Sequence, residues 1–165
     1  MEILTNDQIC RLAELVAAKD LSRPVKGRYR RPLFRATSLG DKYPTVDFIV
    51  DLLDRKDVSL GFFFVQVKGT AAITRTGNRL PVEVSLNRFN DLVRLRAPTY
   101  VIGVDVIAET AYLISAHRPR QTQVSSITKA YCLRDDYVRI KLYKEVLTFW
   151  KSKRPILLRT EFKDV

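Results

Sequence analysis

A chain of 165 residues, 46% of them hydrophobic, is long enough for one domain that buries roughly 70% of its unfolded surface. Its 29 Lys and Arg against 18 Asp and Glu give a net charge of +11, which favours phosphate-bearing polymers as partners. Cys10 and Cys132 lack the spacing of a zinc site or a disulfide framework, so we expect two reduced thiols. The start lacks a signal pattern and no segment approaches a membrane-spanning length, so we expect a soluble, cytoplasmic protein without a membrane partner.

The first predicted element is a helix. Thr5 followed by Gln8 fits a capping box, the sequence signature of a helix N-terminus. Apolar residues then recur at helical spacing up to about Ala18; they are Ile9, Leu12, Leu15 and Val16. One face of this helix is therefore predicted to join the core.

A long basic connection follows at about residues 20–44, rich in Arg, Pro, Gly and Ser. A connection of this length favours a functional loop. Its basic stretch is "VKGRYRRPLFR" (25–35), and further basic clusters lie at 74–79, 117–120 and 151–155. These clusters indicate either a phosphate-binding surface or simply solvated faces and contacts for an acidic protein.

The central part of the chain predicts an α/β fold. Alternating and β-branched segments indicate strands, and Phe89, Leu92, Val93 and Leu95 indicate a short amphipathic helix that Pro98 stops. The predicted strands are 45–53, 61–69, about 79–85, 99–107 and 110–115. The first two would form a hairpin across a charged turn, and the last two would form a second hairpin.

The last fifty residues give weaker patterns. Residues 122–133 predict a short strand, 136–142 another strand, and 143–152 a final turn or helix. We interpret the chain as one domain over 1–165, with a core at about 5–115 and a C-terminal elaboration at 116–165.

Three polar residues are predicted to meet at one end of the first hairpin. Gln66 and Lys68 lie two apart on a strand and so share a face. Asp47 starts the preceding strand, which an antiparallel hairpin brings beside them. Convergence requires directly opposed residues whose numbers sum to an odd value, such as Leu53 opposite Leu60, or else a bulge. Asp51 would lie roughly 13 Å from Asp47, so we expect it to be solvated instead.

The segment "TVDFIVDLL…FFFVQVKGT" resembles the PD-(D/E)xK nuclease superfamily, in which an Asp on one strand and a (D/E/Q)xK pair on the next form the metal site. The likeness covers roughly residues 5–115. Within this superfamily, these residues are similar to a bacterial branch known only as a domain of unknown function. It implies a restriction-endonuclease-like central mixed β-sheet flanked by helices.

The resemblance also implies a site and an activity. Asp47 and Gln66 would be ligands of Mg²⁺ or Mn²⁺, Lys68 would orient or activate the attacking water, and Glu14 would match an acid that some members contribute from the first helix. Carboxylate and neutral oxygens suit Mg²⁺. Gln66 replaces the more common acid, so the site should hold the metal less tightly.

The same residues allow structural interpretations. Asp47 could make a local hydrogen bond at a strand end, Gln66 could be a satisfied edge amide, Lys68 could extend along the surface into water, and Glu14 could lie on the surface. His117 is predicted in a solvent-facing basic loop, since the chain has no GxSxG nucleophile motif.

Under the nuclease interpretation, basic side chains would hold the substrate backbone across the metal; they are Arg28, Arg30, Arg31, Arg35, Arg75 and Arg79. Tyr29 and Phe34 would either stack on bases or pack on the sheet. The predicted function is a metal-dependent nuclease on DNA or RNA, in a setting such as bacterial defence or a mobile element. The alternatives are a non-catalytic nucleic-acid-binding module and a basic adaptor or immunity-type protein; whether the chain also pairs with itself or with a partner protein stays open.

Overall fold

The computed structural model describes residues 4–27, 29–40, 43–72 and 77–152. Within these residues the chain forms three α-helices and seven β-strands. The helices are α1 (Asn6–Leu21), α2 (Leu86–Arg94) and α3 (Asp136–Ser152). The strands are β1 (Phe34–Ser38), β2 (Phe48–Leu53), β3 (Ser59–Thr70), β4 (Arg79–Leu80), β5 (Thr99–Asp105), β6 (Thr110–Ser115) and β7 (Ile127–Thr128).

Five strands form one mixed sheet in the order β1-β2-β3-β5-β6. Neighbouring strands run antiparallel except β3 and β5, which are parallel. A parallel pair needs a crossover connection, and this one contains α2. The predicted α/β class with a central mixed sheet flanked by helices is confirmed.

Apolar side chains cover both faces of the sheet. This is expected for a sheet with a parallel strand pair, since such strands are usually buried on both faces. On one face, α1 and α3 pack on the inner strands through residues such as Ala13, Leu142 and Val65. On the other face, Phe89 and Leu92 of α2 pack with Val101 of β5. The short β4–β7 pair belongs to this second cluster.

The start of α1 has the predicted capping box. The Thr5 N–H donates to the Gln8 side chain over 2.7 Å, and the Gln8 N–H donates to the Thr5 hydroxyl over 3.3 Å. The helix then crosses β3 so closely that Ile9 and Ala13 lie directly over Gly69. This crossing holds α1 beside the Gln66–Lys68 end of β3.

Several sequence-based expectations for this fold were wrong. The predicted loop at residues 20–44 contains β1, which pairs with β2 from Phe34 opposite Leu52 to Ser38 opposite Phe48. The strand expected at 79–85 is only the two residues of β4, in a separate sheet with β7. The short strand expected within 122–133 is present as β7.

Residues 136–142 form the first part of α3 and not the predicted strand. Val138 and Ile140 favour a strand locally, but Val138, Leu142 and Val146 recur every four residues and are buried together. Burial of this helical stripe against the sheet outweighs the weak local preference. The expectation of a final turn or helix at 143–152 is confirmed.

No helix among residues 4–27, 29–40, 43–72 and 77–152 has the length and apolar character needed to cross a membrane.

Gly69→Ala tests the packing of α1 on β3. The added Cβ would lie 2.8 Å from the Ala13 Cβ and 3.0 Å from the Ile9 carbonyl oxygen, so the helix must shift. We expect the free energy of unfolding to fall by about 1–3 kcal/mol, as for other overpacked cores, in a urea titration followed by circular dichroism. An unchanged urea midpoint would show that α1 does not depend on this close approach.

Candidate active site

A cavity of about 340 Å³ opens where α1, the start of β2, the end of β3 and α2 meet. All four predicted catalytic residues line this space, here called the Asp47 cavity; they are Glu14, Asp47, Gln66 and Lys68. Among the other lining residues, which sequence reasoning did not single out for function, are Cys10, Tyr43 and Arg88.

Asp47 is fixed by three hydrogen bonds to its neighbouring strands. Its N–H donates to the Val65 carbonyl and its carbonyl accepts from the Leu39 N–H, both over 2.9 Å. Its carboxylate oxygen Oδ2 accepts from the Val67 N–H over 2.6 Å. The side chain therefore binds the backbone between Gln66 and Lys68, which leaves its other oxygen available to the cavity.

The register of β2 and β3 has the expected parity. Phe48 lies opposite Val65 and Leu52 opposite Gly61, so opposed numbers sum to an odd value over this run. The register shifts between Leu52 and Leu53, and Leu53 lies opposite Ser59. Leu53 is therefore not opposite Leu60 as expected from the sequence, although the pairing at the Asp47 end has the predicted parity.

Gln66 is the most unusual side chain of the cavity. Its residue is only 2% exposed, and its Oε1 has no hydrogen-bond partner within the described part of the chain. A buried acceptor without a partner costs about 1–3 kcal/mol. An oxygen of this kind, beside a carboxylate, is suited to bind a cation, so the interpretation as a satisfied edge amide is not supported for Oε1.

Lys68 and Glu14 complete the predicted set from two different elements. Lys68 is half-buried near the end of β3, and its positive charge acts on Asp47. Glu14 is half-buried on α1, one helical turn after Cys10. The close crossing of α1 at Gly69 brings Glu14 to the same cavity, which helical periodicity alone could not show.

Opposing effects act on the pKa of Asp47. Burial raises the pKa of this carboxyl above its usual range and is the largest effect. The hydrogen bond from Val67 and the charges of Lys68 and Arg88 act in the opposite direction but do not cancel it. Ionisation of Asp47 therefore lowers the stability of the metal-free protein, and a cation bound there would stabilise the ionised form.

The donor set fits a hard divalent cation. Asp47 offers a carboxylate oxygen and Gln66 a neutral oxygen, and oxygen ligands are those that Mg²⁺ and Mn²⁺ prefer. No cluster of three or more His, Cys, Asp or Glu that could hold a metal is found among the described residues. The oxygen donors at the Asp47 cavity fall outside such a cluster, because one of them belongs to the amide of Gln66.

Asp51, the other acid on this strand, is not a lining residue of the Asp47 cavity. Its Oδ1 accepts from the Ser59 hydroxyl over 2.8 Å, and its Oδ2 lies 3.7 Å from the Arg35 Nε. The expectation that Asp51 is solvated is only partly met, because its side chain is 26% exposed.

Two arginines of the predicted basic connection, Arg31 and Arg35, lie toward the end of β2 that is far from Asp47. Arg31 donates to the Leu53 carbonyl over 3.0 Å, and Leu53 is six residues after Asp47, roughly 20 Å along an extended strand. Arg35 is near Asp51, and Arg30 is exposed in a left-handed backbone conformation. The Arg31 side chain is thus held at the far end of β2 from Asp47, and its role in binding a substrate stays a prediction.

Of the remaining arginines predicted to bind nucleic acid, the structure describes only Arg79. Arg79 donates to the hydroxyl and the carbonyl of Ser126, both over 2.8 Å, and so joins β4 to the β7 segment. Arg28 and Arg75 lie outside the described residues. His117 is exposed, as predicted.

The two aromatic residues of the basic loop pack against the protein. Phe34 is 1% exposed and makes an edge contact with Phe63 at 5.5 Å between ring centroids. Tyr29 makes a similar contact with Tyr143 at 6.4 Å. Of the two sequence-based alternatives, packing on the sheet is confirmed for Phe34, which is not available to stack on bases.

Arg88 is a functional candidate that sequence reasoning missed. It lies in the first turn of α2, and its charge reaches Asp47. The sequence predicted this helix correctly but gave no signal for the direction that its polar face takes. Only the crossover from β3 to β5 turns Arg88 toward the cavity.

Comparisons of the chain with protein-family models, with curated proteins and with solved structures gave no match.

Asp47→Asn tests the electrostatic state of the site. Because the folded pKa is raised, the folded state binds this proton more tightly than the unfolded state, and stability falls as pH rises from the ordinary aspartate range through the folded pKa. Asn removes that loss and can still accept from Val67. We expect Asp47→Asn to raise the Tm of metal-free protein at neutral pH, with the gain disappearing below the ordinary aspartate pKa.

The matched control is Asp51→Asn, which removes an acid from the same strand near Arg35 and should give no gain at neutral pH. Thermal unfolding of the three proteins from pH 3.5 to 8 gives the comparison. A lower Tm for Asp47→Asn at neutral pH would contradict the proposed cost of its ionisation.

Proposed function

We propose that this protein is a metal-dependent nuclease of restriction-endonuclease-like architecture, which uses Mg²⁺ or Mn²⁺ to hydrolyse phosphodiester bonds in DNA or RNA. The observation that carries this proposal is the meeting of Asp47, Gln66, Lys68 and Glu14 in one cavity. The net charge of +11 is consistent with a polyanionic substrate.

Asp47 and Gln66 would hold the metal ion, with Glu14 able to contribute from α1. A bound divalent cation would supply Lewis-acid polarisation of the phosphate and favour formation of the nucleophile. Asp47 is positioned for this task by the hydrogen bond from Val67. Among the described residues the Oε1 of Gln66 has no hydrogen-bond partner, and a bound cation would supply one.

The charges of the cavity suit a phosphodiester only when the metal is present. Glu14 and Asp47 contribute −2 and Lys68 and Arg88 contribute +2 when all four are ionised, so the side chains sum to zero. A divalent ion changes this sum to +2. The metal would thus convert a site that is indifferent to anions into one that attracts phosphate.

Lys68 would act on the attacking water. Its ammonium carries three donors and no acceptor, and it lies two residues after Gln66 on the same strand face. From that position it would orient the water oxygen toward phosphorus and stabilise the negative charge that develops there as the water gives its proton to a phosphate oxygen or to solvent and the P–O bond to the leaving oxygen breaks. Removal of Lys68 should therefore affect turnover more than metal binding.

A nucleic-acid-binding module without cleavage is the second candidate. The neutral Gln66 favours it, since an amide in place of an acid gives the metal one negative charge less. Metal-dependent cleavage separates the two candidates, because both predict binding of nucleic acid and only the first predicts hydrolysis.

Three substitutions test the chemistry. Asp47→Asn should abolish both Mn²⁺ binding and cleavage, because it removes the central charged ligand. Lys68→Ala should leave Mn²⁺ affinity unchanged or slightly higher, since a nearby cation is lost, and slow cleavage by ~10²-fold or more. Gln66→Glu should tighten Mn²⁺ binding. Mn²⁺ affinity is measured by calorimetry and cleavage with labelled DNA and RNA.

Matched controls come from the same elements of the fold. Asp51→Asn on β2 and Lys144→Ala on the exposed face of α3 should cleave at the wild-type rate, and EDTA should stop cleavage in every active variant. If Asp47→Asn and Lys68→Ala both cleave like the wild-type protein, the activity does not arise in this cavity. If no protein cleaves but nucleic acid is bound, the second candidate is correct.

A further inference from the structure

Tyr43 lies at the Asp47 cavity and has no role in the chemistry proposed above. Its residue is 57% exposed, and among the large hydrophobic residues exposed in the described structure it is the one that lines this cavity. Its ring makes no contact with another aromatic ring within the described residues. An exposed aromatic face beside a phosphate site is suited to stack on a nucleobase.

Arg88 provides a cation whose charge acts on Asp47 without forming a close ion pair among the described residues. Asp91, three residues later on α2, lies 3.4 Å from Arg94. Within the described part of the chain Arg88 has no ion pair, and its side chain lines the cavity near Asp47. A guanidinium can donate two parallel hydrogen bonds to phosphate oxygens.

The size of the cavity limits what can enter. Its volume of about 340 Å³ is at the lower end of the range for small-ligand sites, roughly 300–1,000 Å³. Such a space suits one nucleotide and not a stacked segment of duplex. A base that reaches Tyr43 must also leave its stacked position in a helix, which is least costly in a single strand.

We propose that the Asp47 cavity binds one nucleotide of a single-stranded nucleic acid, with the base stacked on Tyr43 and a backbone phosphate bound by Arg88. This inference rests on the proposed function and adds its substrate class, single-stranded DNA or RNA or an unpaired end. The site binds the nucleotide through the π-face of its base and through a backbone phosphate, two features that all nucleotides share, so the preference concerns strandedness and not sequence.

Binding in Ca²⁺, which is intended to leave the substrate uncleaved, tests the inference. The probes are a labelled twelve-nucleotide single-stranded DNA, the RNA of the same sequence, and a relaxed closed-circular duplex DNA, which has neither ends nor unpaired loops. Wild-type protein should prefer both single strands to the closed duplex. Tyr43→Ala should weaken single-strand binding by about tenfold or more, and Tyr43→Phe should retain it because the ring is kept.

Arg88→Ala should also weaken single-strand binding, and it should reduce the slope of log K against log salt by roughly 0.7, the value for one lost contact to a single strand. Its Mn²⁺ affinity should be unchanged or higher, because a cation near Asp47 is lost. A role of Arg88 that is only structural would instead reduce metal binding and Tm. Tyr137→Ala and Arg94→Ala are the controls, since Tyr137 is an exposed tyrosine on α3 and Arg94 pairs with Asp91.

The outcomes separate this inference from the nuclease proposal. Metal-dependent cleavage by the wild-type protein, with single-strand binding unchanged in Tyr43→Ala and Arg88→Ala, overturns the nucleotide site and leaves the nuclease. Single-strand binding that both variants lose, without cleavage by any protein, supports the site and removes the nuclease. A wild-type protein that prefers the closed duplex or binds no nucleic acid overturns the inference.

Discussion

The hydrogen bond from the Val67 N–H to the Asp47 carboxylate is the interaction on which the candidate site depends. It is 2.6 Å long and joins the residue before β2 to the backbone between Gln66 and Lys68. Together with the bond from the Asp47 N–H to Val65, it gives this carboxylate a single position. Without it, an acid at the end of a short strand would have several rotamers and no defined relation to β3.

The rest of the fold places other side chains around this fixed carboxylate. Gly69 lets α1 approach β3 closely enough to bring Glu14 to the cavity. The parallel pairing of β3 and β5 requires a crossover, and its helix α2 brings Arg88 to the same space. The burial that these elements cause raises the pKa of Asp47 and leaves Gln66 Oε1 without a partner among the described residues. Both effects lower the stability of the metal-free protein, and a bound cation would reduce both of them.

The local part of this arrangement could be predicted from the sequence. Strand periodicity predicted that Gln66 and Lys68 share a face. The odd sum of opposed residue numbers in the hairpin predicted the pairing that brings Asp47 to them. Capping residues gave the start of α1. Each of these inferences needs only neighbours in sequence or one tight connection, so few alternatives compete with it.

Long-range pairing determined the parts that could not be predicted. The basic loop was expected over the metal site, but β1 pairs with β2 and Arg31 binds Leu53 at the far end of that strand. Residues 136–142 have local strand character, yet Val138 and Leu142 are buried as part of a helix on the sheet. Arg88 was missed because its direction depends on the crossover and not on its own helix. In each case the deciding contact joins residues far apart in sequence, which periodicity does not report.

The most direct measurement for this account is anomalous scattering from crystals soaked in Mn²⁺, with Asp47→Asn crystals treated in the same way. We expect one peak within about 2.0–2.3 Å of oxygens of Asp47 and Gln66, and we expect it to be absent from the Asp47→Asn crystals. A soaked wild-type crystal with no peak at these oxygens, or with Mn²⁺ bound only elsewhere, would contradict the proposal that this cavity is a metal-dependent active site.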